Sequence, residues 1–228
     1  VYNYGFSGPE AYMIMEFIEG TRFDKLVEST KHGLNEELTM YYLLDMLTGL
    51  EHIFNCGYLY RDLKPENIIL REDNGLVGLV DYGLCMTVDE AWNNDSDDIM
   101  GSPLYMPPER IRGEGEDFRA DFYALGMVVF YMMNGEPYFS QTELMKVVKR
   151  QSDSLRLQTK TKMGKNHHPL VITVVDKLIR VDRDERFMSY HEIRYAVHEA
   201  IIELCQQGDS CPKTMARRAQ YIAACQSS

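Results

Sequence analysis

The chain has little cysteine, a single tryptophan, few basic residues and no long apolar run, and each shortage closes off a class of protein. Its five cysteines, Cys56, Cys85, Cys205, Cys211 and Cys225, are scattered with no C-x-x-C pair. That spacing suits neither a zinc site nor a disulfide framework, and reduced thiols in a cytoplasmic setting are the expectation. The longest apolar stretch, Phe122 to Met133, is too short to span a bilayer, and the first residues show no signal-peptide pattern. Only 24 basic residues stand against 35 acidic ones, a formal charge of −11. Nonspecific attraction to nucleic acid or to an anionic membrane is therefore disfavoured, and proteins or small ligands are the expected partners. What is abundant is apolar content, 45% of 228 residues, enough for a sizeable core in one large domain or two small ones.

Local patterns divide the chain. Two short aromatic and aliphatic runs around Ser7-Gly8-Pro9 predict two strands joined by a turn. Beyond Gly20 the pattern turns helical, with Asn35 as a cap, Glu36 and Glu37 at the positive end of the helix dipole, and Gly57 as the stop. Leu43, Leu47, Leu50 and Phe54 recur on one wide face of that helix. "NIILREDNGLVGLVD" reads as a hairpin, Ile68 to Leu70 and Leu76 to Val80 flanking Asp73-Asn74-Gly75. Antiparallel strands bring their outer ends together, so Asn67 and Asp81 are expected to emerge side by side as two hard oxygen donors, a seat for magnesium. Cys85 to Gly101 is acidic, lacks periodicity and reads as an exposed loop. "DFYALGMVVFYMMNG" predicts a central helix buried all round, with Asp121 as its cap and Gly135 as its stop. "LVITVVDKLI" is ambiguous, β-branched enough for a strand and long enough for a helix. Arg194 to Leu204 reads as helical, and after Pro212 a last amphipathic helix would put Met215, Ala219 and Ile222 on one face.

"YRDLKPEN", then "DYG" beginning fourteen residues after its asparagine, then "GSPLYMPPE", "DFYALG" and "DRDERF" come in an order that resembles the eukaryotic-type Ser/Thr protein kinase family. Short connections around the catalytic segment resemble the bacterial members more than the insert-rich ones. The resemblance runs from Val1 to about Leu204 and implies an α+β kinase-like fold: residues 1–17 as leftover strands of the small lobe, 18–204 as the mainly helical large lobe, 205–228 as a tail helix. It further implies ATP and Mg2+ as cofactors and a protein substrate. Asp62 matches the aspartate that accepts or orients the substrate hydroxyl proton, and Lys64 the lysine that neutralises γ-phosphate charge. Asn67 and Asp81 match the magnesium ligands. For the nucleotide, Met15 matches the gatekeeper, Glu16 and Ile18 the hinge partners, and Ile69 the apolar floor. Arg61 matches the arginine that awaits a phosphate on the activation loop, where Thr87, Ser96 and Ser102 carry hydroxyls. Ser102 matches a residue that contacts the catalytic aspartate and lysine. Ser96 reads equally as a phosphorylation site or as part of a solvated acidic loop. Asp121 matches a helix aspartate that bonds the catalytic-loop backbone, and Glu109 with Arg186 a buried ion pair.

Tyr60 and Tyr82 replace the family's usual histidine and phenylalanine, and Pro107 an alanine; none of these abolishes catalysis on physical grounds. The larger departure is upstream, where there is no G-x-G-x-x-G and no V-A-I-K. An active kinase needs the phosphate loop, the strand lysine and a helix glutamate in place. The expectation is that these 228 residues alone transfer little phosphate. Three origins fit: a piece of a working kinase, a reduced kinase-like interaction module, or a half completed by another chain. An open cleft floor and unpaired strand edges make self-association an expectation as well.

Overall fold

The computed structural model describes residues 2–93, 101–139, 162–163, 167–206 and 212–226. Its centre is helix α5 (Arg119–Asn134), in which every residue from Ala120 to Met133 is buried. Gly135 closes it in the left-handed conformation (φ 74°), a geometry open to glycine at little cost. The helix starts two residues before Asp121, so Asp121 sits in its first turn and is not the cap expected from the sequence. The reason is tertiary: the carboxylate is taken by another segment, described below.

Helix α2 (Glu36–Asn55) packs beside α5, with Leu43, Leu47 and Leu50 buried and the Asn35 side chain accepting from the Leu38 amide at 3.1 Å. The ambiguous "LVITVVDKLI" is helical, as α6 (Pro169–Leu178). Pro169 occupies its first turn, His168 caps it, and Val171, Val174, Val175 and Leu178 are buried at helical spacing. Gly126 of α5 lets α6 approach closely, since a Cβ there would lie 2.5 Å from Ile179 Cγ2. Helix α7 (Tyr190–Gln206) completes the layer against α2 and α6.

Three small sheets accompany this bundle among the described residues. β1 (Asn3–Ser7) and β2 (Glu10–Ile14) form an antiparallel hairpin in register Asn3↔Ile14 to Ser7↔Glu10. β3 (Gly20–Arg22) pairs with β5 (Ile68–Arg71), which pairs in turn with β6 (Val77–Leu79). Gly20 is what permits the first pairing: a Cβ there would fall 2.2 Å from the Leu70 carbonyl oxygen. Helix α1 (Phe23–Glu28) follows β3. β4 (Tyr58–Leu59) pairs with β7 (Met86–Thr87), and β7 leads into helix α3 (Val88–Trp92). The segment expected as an exposed loop thus carries a helix, because Thr87 and Glu90 form a reciprocal capping box. Ser96 lies outside the described residues.

Helix α8 (Pro212–Gln226) forms where the tail helix was expected but presents a different face. Met215 and Ala219 are exposed, while Thr214 and Arg217 are buried; the side chain of Ile222 lies outside the described residues. Charge explains the rotation. Arg217 pairs with Asp45 of α2, and Arg218 donates to Glu37 Oε1 at 2.9 and 2.7 Å. Gln220 reaches the hairpin turn, donating to the Asn74 carbonyl at 3.1 Å.

Arg186 follows the short turn Arg183–Glu185, and Glu109 lies in the four-residue helix α4 (Pro108–Ile111). Their side chains form a two-pronged pair at 2.7 Å for both bonds, with exposures of 0% and 3%. Arg186 also donates to the Arg119 and Arg180 carbonyls, each at 2.8 Å. Truncating one partner of such a pair strands the other charge. Glu109→Ala is therefore expected to lower the unfolding free energy in a urea melt by roughly 3–5 kcal/mol, and Glu109→Leu with Arg186→Met to recover most of it. A single mutant within 1 kcal/mol of the parent, on the order of an exposed pair, would show the bridge to be dispensable.

Candidate active site

The site is built outward from Asp121. Its two oxygens accept the backbone N–H groups of Tyr60 and Arg61 at 2.9 and 2.8 Å. Burial pushes the Asp121 carboxyl up from its ordinary range, and the two N–H donors with the nearby Arg110 charge offset this only in part. Arg61 is held at φ 67°, a left-handed conformation that a non-glycine residue keeps only when its surroundings impose it. That turn delivers Asp62.

Asp62 is 7% exposed. Its Oδ2 accepts from Lys64 Nζ at 2.7 Å and from Asn67 Nδ2 at 2.7 Å, and Asn67 Nδ2 also reaches the Asp62 carbonyl at 3.0 Å. Oδ1 has no donor among the described residues. Asn67 closes the short turn Pro65–Asn67 that runs straight into β5. The register Ile68↔Leu79, with the Val80 N–H donating to the Asn67 carbonyl at 3.0 Å, sets Asn67 and Asp81 at one end of the hairpin. Asp81 is exposed and also left-handed (φ 62°), with Oδ1 accepting from the Gly83 amide at 3.2 Å. With its amide nitrogen committed to Asp62, the Asn67 oxygen remains for a ligand. One amide oxygen and one exposed carboxylate fit Mg2+, which keeps several waters and takes few protein donors. Among the described residues there is no cluster of three His, Cys, Asp or Glu side chains arranged for a metal.

Tyr60 does more than fill space. Its buried hydroxyl donates to the Val80 carbonyl, tying the loop's start to the residue before Asp81, and its ring meets Tyr82 edge on at 5.7 Å. Burial raises the phenol, which keeps it a neutral donor. Cys85 is likewise pushed up to about 11 by burial and rests against the Tyr60 carbonyl at 3.6 Å.

The residues expected on the nucleotide side are held more loosely. Met15 is half exposed. Glu16 is exposed and pairs with Arg71 of β5 at 2.8 Å. Ile69 pairs with Gly78 across the hairpin, and Ile18 Cδ1 lies 3.4 Å from where a Gly78 Cβ would be. Ser102 shares a small cavity with Asp62 but makes no hydrogen bond to Asp62 or Lys64. Thr87 is committed to the α3 cap. Two residues of the site carried no direct sequence signal: Glu116 and Arg110. Glu116 takes Arg61 at 2.8 Å and Arg110 at 2.5 Å. The signal available was indirect, since a nearly buried Arg61 required a carboxylate from somewhere.

Residues 2–198 match the protein kinase domain family. The chain belongs to the protein kinase family. Similar proteins come from eukaryotes and bacteria. A probable serine/threonine-protein kinase of Dictyostelium discoideum is 28% identical over 200 residues, covering 74% of this chain and 43% of that protein. A serine/threonine-protein kinase of Arabidopsis thaliana is 35% identical over 129 residues, covering 56% of this chain and 27% of that protein. A probable serine/threonine-protein kinase of Bifidobacterium longum is 30% identical over 131 residues, covering 57% and 19%. The chain thus spans less than half the length of these kinases.

The kinase domain's dependence on Asp121 can be measured. Asp121→Asn keeps one acceptor and turns an N–H donor toward the other amide, which is expected to cost roughly 1.5–3 kcal/mol. Hydrogen exchange at the Tyr60 and Arg61 amides should accelerate by the corresponding factor; unchanged exchange would show that the loop is positioned by other contacts.

Proposed function

We propose that the chain carries the catalytic large lobe of a Ser/Thr protein kinase, which moves the γ-phosphoryl group of ATP to a protein hydroxyl. The observation that carries this reading is the convergence on Asp62. Lys64 and Asn67 hold Oδ2 and leave Oδ1 to accept or orient a hydroxyl proton. A binding module has no need of that arrangement. Phosphoryl transfer, by contrast, needs alignment and positive charge more than covalent help. Lys64, 24% exposed, supplies such charge beside the acceptor oxygen. Asn67 and Asp81 are the residues that would hold magnesium, whose charge would neutralise phosphate oxygens. Glu16 and Ile18 offer backbone groups to the adenine, with Met15 at the back and Ile69 as the apolar floor.

Residues 1–17 belong, on this reading, to the small lobe, 18–204 to the large lobe and 205–228 to a tail. Free thiols at Cys56, Cys85 and Cys205 suit the cytoplasm. No helix among the described residues is long and apolar enough to cross a membrane. Lacking a glycine-rich loop and strand lysine, residues 1–228 alone transfer little phosphate.

A second reading, a kinase-like interaction module, draws on β1–β2. Tyr4 and Phe6 are each 78% exposed and Phe17 88%, an apolar surface of the kind that recruits a partner or a second copy. Light scattering at high concentration is expected to show a dimer or larger species, and a clean monomer would remove self-association.

Calorimetry separates the two readings. Where a longer gene product exists, MgATP is expected to bind it, with affinity at least tenfold weaker in Asp81→Ala, while Asp62→Asn lowers kcat by about 100-fold or more. If neither the chain nor the longer product binds nucleotide although both fold, the interaction module is the better account.

A further inference from the structure

Every polar group of Arg61 is engaged in one buried cluster. Its amide donates to Asp121 at 2.8 Å, and its carbonyl accepts from Arg110 Nη1 at 2.7 Å. Its guanidinium gives Nε and Nη2 to Glu116 Oε1 at 3.1 and 2.8 Å, and Nη1 lies 3.4 Å from Met86 Sδ. The other oxygen of Glu116 takes Nε and Nη2 of Arg110 at 2.8 and 2.5 Å. Two acids and two arginines therefore balance. The side chains of Glu116, Arg110 and Arg61 are only 2%, 8% and 10% exposed, so the balance matters.

The cluster decides how the loop before Asp62 is held. Arg61 is left-handed, and such a residue stays in place only when tied at several points. Asp121 ties its backbone from the core, while Glu116 ties its side chain from the segment ahead of α5. A phosphate arriving on the loop between Asp81 and Glu109 would find the forked face of Arg61 taken and would have to displace Glu116 from two arginines at once.

We propose that Glu116 is a positioning residue for Asp62, acting through Arg61, and that it makes the order of the catalytic loop independent of phosphorylation. The inference rests on the kinase reading for its catalytic consequence, but not for its structural one. The test uses the full-length protein, with and without phosphatase treatment, alongside Glu116→Gln, Glu116→Asp, Arg61→Gln and the double variant Arg61→Gln/Glu116→Gln. Readouts are kcat, KM for MgATP, and hydrogen exchange at the Tyr60 and Arg61 amides.

Phosphatase-treated parent protein is expected to keep its kcat and amide protection within about twofold. Glu116→Gln should lose at least tenfold in kcat with KM changed by less than about threefold, and its two amides should exchange at least tenfold faster. Glu116→Asp should fall between it and the parent. Added to Arg61→Gln, the Glu116 change should bring clearly less than its single-variant loss, the remainder passing through Arg110 and the residue 61 carbonyl. If Glu116→Gln does not fold, the same split is read from Glu116→Asp, whose shorter arm cannot span both arginines. Unchanged kcat and exchange in the Glu116 variants, losses that multiply in the double variant, or a tenfold fall on phosphatase treatment would each overturn the proposal. A parent protein that transfers no phosphate would refute the kinase reading instead, and the exchange comparison would still decide the role of Glu116.

Discussion

One carboxylate in the middle of the protein sets the position of everything that could act chemically. Asp121 rises from a helix buried on all sides, so it has nowhere to move. Both of its oxygens are spent on the backbone of Tyr60 and Arg61. Burying an acid is unfavourable, and burial does push this one up. The fold accepts that cost because two N–H groups of a strained turn have no other partner among the described residues, and leaving them unpaired would itself be costly. Asp62, one residue on, is thereby referenced to the core and not to the surface.

From that anchor, rigidity passes to the hairpin by two routes. Asn67 bonds both the carbonyl and the side chain of Asp62 and then enters β5 directly. Tyr60 reaches the Val80 carbonyl with its hydroxyl. The turn of the hairpin is held from the far side, where Asp45 accepts the Val77 amide at 3.1 Å while pairing with Arg217 of α8. Tail helix, α2 and hairpin thus share one carboxylate. A tyrosine in place of the family's usual histidine at position 60 is consistent with this, since the phenol reaches a carbonyl and stays neutral.

The long elements were legible in the sequence because their signals are local. Asn35, Gly57 and Gly135 act as punctuation, and the Asp73-Asn74-Gly75 turn fixes the hairpin that pairs the ends at Asn67 and Asp81. The short elements were not. β3 has three residues and β7 two, too few for a period to show, and each exists because a partner strand is already in place. β-branched composition leaves α6 undecided, and its buried stripe of Val171, Val174, Val175 and Leu178 makes it a helix. Asp121 was read as a cap because its type suits one, and tertiary demand overrode that local preference. Of the site, Asp62, Lys64, Asn67 and Asp81 lie in quotable motifs, whereas Glu116 meets Arg61 across 55 residues and Arg217 meets Asp45 across 172. Composition carries no trace of such pairings, and they rotated α8 away from the face its apolar residues predicted.

The two sides of the site differ in how they are held, and the difference bears on mechanism. The ties on Asp62 and on the two residues before it come from residues 60 to 121, and each is buried or partly buried. Met15, Glu16 and Ile18, by contrast, lie on an irregular link fastened to the sheet by the Glu16 ion pair with Arg71 and by the Glu72 amide donating to the Glu19 carbonyl at 3.0 Å. Exposed ion pairs contribute little. On the proposed kinase reading, the geometry that would handle a hydroxyl proton is preorganised around Asp62, whereas the edge at Met15, Glu16 and Ile18 takes its order from whatever packs on it. If the proposed reading holds, the step most sensitive to a partner or a neighbouring segment would be capture of the nucleotide, while the Asp62 end would stand ready beforehand.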